Sequence, residues 1–163
     1  MVYYTLLHKI LLKRGFSMSG INSILDCIKT GKTAIARKMI EEGLQSNPEE
    51  YFYCLALCCC MEKSYSSSIY YFKCSISSGL KHYLVYYNMG IAYMELGDNI
   101  KAEECFKQSI SLNKSFTKNY MSLSRIYLIA GNKQKAYRVI KTALSITDDP
   151  ELSEVENKLL CML

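Results

Sequence analysis

The sequence has no tryptophan, two prolines and two histidines among 163 residues, and each shortage removes a class of explanation. With so few prolines, and no stretch rich in Gly, Pro or Ser, no long flexible linker is expected, and the length fits one domain. His8 and His82 have no metal-ligand neighbour and no carboxylate close in sequence. A metal centre or a nucleophilic triad therefore has little to be built from. No Gly-x-Ser-x-Gly elbow and no Cys-x-x-Cys pair occurs. The net charge of +5 is modest and does not gather into a basic block, which argues against nucleic acid as a ligand. No catalytic residue, metal or cofactor is predicted.

Half of the residues are apolar, enough for a continuous core, and tyrosine is abundant. Eight cysteines are present, but Cys58, Cys59 and Cys60 are consecutive and the other spacings are irregular. A chain this long and this apolar does not need disulfide staples. Neighbouring helical residues also point about 100° apart, so the three cannot converge on one ion. The thiols are read as small apolar side chains in a reducing, cytoplasmic setting.

The segment Thr30-Gly31-Lys32-Thr33 has the ending of a phosphate-binding loop. Asp26 stands where that motif needs its other glycine, and Ile21 to Ile28 reads as a helix, not a buried strand. A turn between two helices is the better reading. The first 16 residues form an amphipathic pattern, with Val2, Tyr3, Leu6, Leu7, Ile10 and Leu11 on one side of a helix and Thr5, His8, Lys9 and Lys13 on the other. The order of charge and apolar run is wrong for a secretory signal, and the run is too short to span a bilayer. Such a helix would dock on the domain, pair with a second copy as a homodimer, or lie on a membrane surface. Its few cations favour the first two.

The chain repeats itself. The segment from His82 and the segment from Phe116 align without a gap at an offset of 34 residues. Tyr86 falls on Tyr120, Met89 on Leu123, Tyr93 on Tyr127, Gly97 on Gly131, Ala102 on Ala136 and Phe106 on Ile140. The pattern spells a helix, a turn at a glycine with positive φ, and a second helix capped by Asp98. Ala102 lets the two helices approach closely and Phe106 fills the space beyond.

These residues resemble the tetratricopeptide repeat, which asks for an aromatic, a Leu-Gly pair, a Tyr, a Gly, a small residue, an aromatic and a second small residue. Residues 83–116 carry Tyr86, Met89-Gly90, Tyr93, Gly97, Ala102, Phe106 and Ser109, and 117–150 carry Tyr120, Leu123, Tyr127, Gly131, Ala136 and Ala143. Residues 49–82 are a weaker copy, with Lys63 where the glycine belongs, and 17–48 are weaker again. Asp149-Pro150 opens a capping helix over 151–163. The resemblance implies an all-α fold: a right-handed superhelix of antiparallel helical hairpins in a single domain, preceded by an N-terminal helix over 1–16.

It also implies which positions face the concave side, the usual ligand surface of such repeats. In the first copy these are Ile21, Leu25 and Ile28. In the second they are Tyr53, Leu57, Cys60 and Met61, and in the third Leu84, Tyr87, Ile91 and Met94. In the fourth they are Lys118, Met121, Arg125, Leu128 and Ile129. Family members that clamp the acidic C-termini of heat-shock chaperones use inward Lys, Arg and Asn. Here Tyr53, Leu57, Tyr87 and Ile91 stand at key inward positions. The expectation is a non-catalytic interaction module, an adaptor whose groove takes an apolar segment of a protein partner. Its predicted lining is Tyr53, Leu57, Met61, Tyr87, Ile91, Met94, Met121, Arg125 and Leu128. Truncation of Tyr87 is expected to weaken binding and leave folding nearly unchanged. The size, the leading helix and the apolar groove are also similar to the small repeat chaperones of bacterial type III secretion, which keep translocator proteins soluble. A third expectation is a scaffold within an enzyme or a nucleic-acid-binding assembly.

Overall fold

The computed structural model describes residues 18–162, and the helix expected over 1–16 lies outside them. Among the described residues there are nine helices and no strand. They are α1 (Met18–Lys29), α2 (Thr33–Gly43), α3 (Pro48–Met61), α4 (Tyr65–Ser77) and α5 (Tyr83–Glu95), then α6 (Asn99–Leu112), α7 (Lys118–Ile129), α8 (Lys133–Leu144) and α9 (Pro150–Leu160). Successive helices pair as α1–α2, α3–α4, α5–α6 and α7–α8, and the second helix of each pair packs on the first helix of the next. The result is a superhelix of antiparallel hairpins, closed at its C-terminal end by α9 against α8.

One backbone device makes the turn inside all four hairpins. Gly97 has φ +79°, its N–H donates to the carbonyl of Met94, and the N–H of Asp98 donates to that of Tyr93. Gly131 with Asn132, and Gly31 with Lys32, repeat this pair of bonds. It is the Schellman ending, which satisfies carbonyls that the helix leaves open. In α3–α4 the same bonds are made by Lys63 and Ser64, with Lys63 at φ +59°. The glycine missing from the second copy is thus replaced by a lysine held in the left-handed region. The next helix starts on a cap: Asp98 accepts from the N–H of Lys101 at 3.2 Å, and Asn132 from that of Lys135 at 2.9 Å. Asp149 caps α9 in the same manner, accepting from Glu151 at 3.0 Å beside Pro150.

The core runs unbroken along the stack. Ala36, Ala102 and Ala136 have no exposed surface, and neither do Ile40, Phe72, Phe106 and Ile140. A Cβ added to Gly90 would stand 2.7 Å from Phe106 Cε1, so α5 and α6 approach through the absence of a side chain there. Buried serines tie hairpins from within. Ser75 Oγ donates to the carbonyl of Glu49 at 2.6 Å, and Ser109 Oγ to that of Tyr83 at 2.8 Å, at corresponding places in consecutive hairpins. A serine in place of the usual small apolar residue therefore supplies a bond between the second helix and the start of the first. The eight cysteines are free thiols. Burial pushes the thiol of Cys58 up to about 12 and that of Cys60 up to about 11, so both stay protonated and pack as apolar groups.

Candidate functional site

The first helices of the hairpins carry the positions expected on the concave side, and tyrosines on them reach from one to the next. Asn88 on α5 donates to the Tyr53 hydroxyl on α3 at 2.9 Å. One hairpin further on, Ser122 on α7 lies close enough to the Tyr87 hydroxyl on α5 to act against the burial that lifts its pKa. Both pairs are 35 positions apart, one repeat plus one residue. Position 121 holds Met121, which has no hydroxyl to continue the pattern.

Along this wall the predicted lining residues form a stripe on each of α3, α5 and α7, and the stripes differ in exposure. On α3, Tyr53 is 0% exposed and Leu57 2%. Both are buried, and Tyr53 packs its ring at 5.8 Å from Phe72. Met61, at the C-terminal end of α3, is 45% exposed. On α5, Tyr87, Ile91 and Met94 are half-buried against the core, as are Met121 and Leu128 on α7. Arg125 is exposed. The predicted lining is therefore apolar and partly accessible on α5 and α7, and on α3 buried except at Met61. In α1, Leu25 and Ile28 are buried, and Ile129 projects from the end of α7 into solvent.

Tyr87 is less free than its sequence position suggests. Its ring stands edge-on to Phe116 at 5.0 Å and tilted against Phe106 at 5.8 Å. Tyr83 packs on the other side of Phe116, at 5.0 Å. An aromatic cluster thus occupies the junction of the third and fourth hairpins. Tyr87 is thus packed into this cluster while remaining partly exposed. Burial also lifts its hydroxyl above the ordinary tyrosine range, so it remains neutral.

Two further features had weak sequence signals. His82 caps α5: its Nδ1 accepts from the N–H of Leu84 at 3.2 Å. Burial lowers its pKa to about 4. Glu50, at the N-terminal end of the α3 stripe, is 1% exposed. Its register partners are Leu84 and Lys118, so a buried carboxylate there was not legible from the repeat pattern. Among the described residues no group of three or more His, Cys, Asp or Glu is placed to hold a metal ion. Among the same residues no helix is long and apolar enough to cross a membrane.

Residues 83–116 match the tetratricopeptide repeat family. The structure is similar to that of MamA at a TM-score of 0.64 and 22% identity, covering 93% of this chain and 87% of that one. It is similar to TTC0263, a thermophilic repeat protein of Thermus thermophilus, at a TM-score of 0.67 and 20% identity, covering 88% of this chain and 81% of that one. It is also similar to the first repeat domain of Spaghetti (RPAP3), solved bound to the HSP90 peptide SRMEEVD. There the TM-score is 0.61 and the identity 16%, over 72% of this chain and 96% of that one. Likeness at these identities establishes the fold. No match was found among curated proteins by sequence.

Proposed function

We propose that this tetratricopeptide-repeat chain is a non-catalytic protein-interaction module that takes an apolar segment of a partner polypeptide along its inner wall. The observation that carries this reading is the half-buried apolar strip of Tyr87, Ile91 and Met94 on α5, continued by Met121 and Leu128 on α7. Met and Tyr give such a strip adaptable contact area. The strip's width, two helices side by side, suits an extended or helical peptide. Arg125, exposed beside it, would orient the bound segment without supplying most of the affinity.

An acidic peptide of the kind held by the Spaghetti domain fits this wall poorly. Asn88 is buried and its amide is engaged with Tyr53, and Leu84 is fully buried at the N-terminal end of α5. Only Lys118 and Arg125 bring positive charge to the stripes. The test is fluorescence anisotropy with labelled amphipathic peptides carrying Leu and Phe at helical or alternating spacing, against the acidic peptide SRMEEVD, at low and high salt. Binding of an apolar peptide that survives high salt is expected, because apolar contact is not screened. Preference for the acidic peptide, with affinity collapsing as salt rises, would overturn the reading.

A further inference from the structure

In a stack of antiparallel hairpins the first helices all run the same way, so the turns inside the hairpins share one edge and the turns between hairpins share the other. The end of α9 returns to the first edge: Lys133 Nζ, at the start of α8, donates to the carbonyl of Met162 at 2.9 Å. Exposed large apolar side chains gather along that edge. Ile35, Met61, Leu96, Ile100, Ile129 and Met162 all stand within a few residues of its turns or of the end of α9, Ile100 at 76% exposure and Ile129 at 62%. The opposite edge has Leu112 and Ile146. Apolar residues scattered singly on a surface need no explanation, but one or two on every hairpin at the same edge do.

Charge divides in the same direction. Exposed Lys32, Lys63 and Lys133 stand at the turns themselves. Of the acids beside them, Glu62 is paired with Arg37 at 2.8 Å and Asp98 with Lys101 at 2.6 Å, which leaves Glu95. The opposite edge mixes Lys114 and Lys118 with Asp148, Asp149 and Glu151. Lys63 also sits at φ +59°, where a glycine would make the same turn without strain, so a cation is held on this tip at a conformational cost.

We infer that the edge formed by the turns inside the hairpins docks on an anionic lipid surface, its apolar side chains entering the headgroup layer and its lysines meeting the negative headgroups. Side chains carried on successive turns can meet a broad, yielding surface together, whereas a bound peptide follows a groove. A second copy facing the edge would set lysine against lysine. The inner wall stays open in this arrangement, so peptide binding there stands or falls separately.

Flotation of the full chain tests the inference, with vesicles of phosphatidylcholine alone and of phosphatidylcholine and phosphatidylserine in about equal parts. Binding to the mixed vesicles and not to the neutral ones is expected, weakening as salt rises. Ile100→Ser combined with Ile129→Ser is expected to weaken it about tenfold, and Lys63→Gly about fivefold, although Lys63→Gly relieves the strained turn. Equal binding by wild type and the isoleucine double variant would overturn the inference, wherever else on the chain the vesicle were held. The lack of tryptophan in the sequence allows a second measurement. The emission of a tryptophan introduced by Ile100→Trp or Ile129→Trp is expected to shift to the blue on the mixed vesicles, and that of Leu112→Trp is not. The same shift at all three positions, or at none, would overturn the inference. So would a blue shift of Ile100→Trp on concentrating the protein without vesicles, which would give the edge to a second copy.

Discussion

Asn88 donates its side-chain amide to the Tyr53 hydroxyl at 2.9 Å, and both residues are buried. The bond fixes α5 on α3, so it sets the relation between the second and third hairpins and the shape of the wall between them. Tyr53→Phe removes the acceptor and leaves a buried donor stranded. It is expected to lower stability by about 1–3 kcal/mol in urea unfolding. Adding Asn88→Leu removes the stranded group, so the double variant should lose less than the sum of the two single losses. Strict additivity would show that the two side chains do not meet.

Gly90 is the point of closest approach within the third hairpin. A methyl there would meet the buried ring of Phe106 at 2.7 Å, and the ring has no open side to retreat into. Gly90→Ala is expected to cost about 1–3 kcal/mol through overpacking, net of the helix propensity it gains. Phe106→Leu added to it should recover part of that loss in thermal melts, although alone it is destabilising. A neutral Gly90→Ala would mean that α5 and α6 sit further apart.

Lys63 shows where the repeat was legible and where it was not. Gly97, Gly131 and Asp98 could be assigned their turn and cap directly, because glycine and aspartate advertise the backbone they permit. At Lys63 the same turn forms without the signal, at φ +59°, because the hairpin on either side dictates it. The exposure of the wall was less legible still. Tyr53 and Tyr87 carry the same pattern, and what distinguishes them is the chain packed around each, which no periodicity encodes. Relief of the left-handed strain makes Lys63→Gly stabilising by about 0.5–1 kcal/mol, part of the 1–2 kcal/mol that a side chain costs there being returned as extra freedom in the unfolded chain. Chemical denaturation measures it, and a destabilised variant would contradict the strained turn.

The cap at His82 makes one helix start sensitive to acid. Nδ1 can accept from the N–H of Leu84 only when the ring is neutral, and burial holds the folded pKa at about 4, below the usual 6.5. Between those values the unfolded chain binds a proton that the folded chain refuses. Stability from this group is therefore fully present above about 6.5 and is lost as pH falls through the window towards 4. His82→Asn keeps an acceptor at the cap and removes the titration. The difference in melting temperature between wild type and variant should shift in the variant's favour as pH drops from 7 to 5, and a constant difference would remove the cap from the pH response.

Tyr87 cannot by itself report on the groove. From sequence its truncation looked harmless to folding, but its ring packs on Phe116 and Phe106, and its hydroxyl lies close to Ser122. Tyr87→Ala is therefore expected to cost about 2–3 kcal/mol of stability, somewhat below the loss of a fully buried aromatic, whatever it does to binding. Met121 is the better probe, because it holds the same register position on α7, is half-buried, and makes no aromatic stack. Met121→Ala should lower stability by about 1–2 kcal/mol, less than Tyr87→Ala, since the side chain is only partly buried against the core. If the wall binds an apolar segment, the same substitution should weaken the Leu/Phe peptide several-fold, and Arg125→Ala at the exposed rim should change it less. Equal affinity for wild type and Met121→Ala, measured on chains of matched melting behaviour, would place the contact elsewhere than on α7.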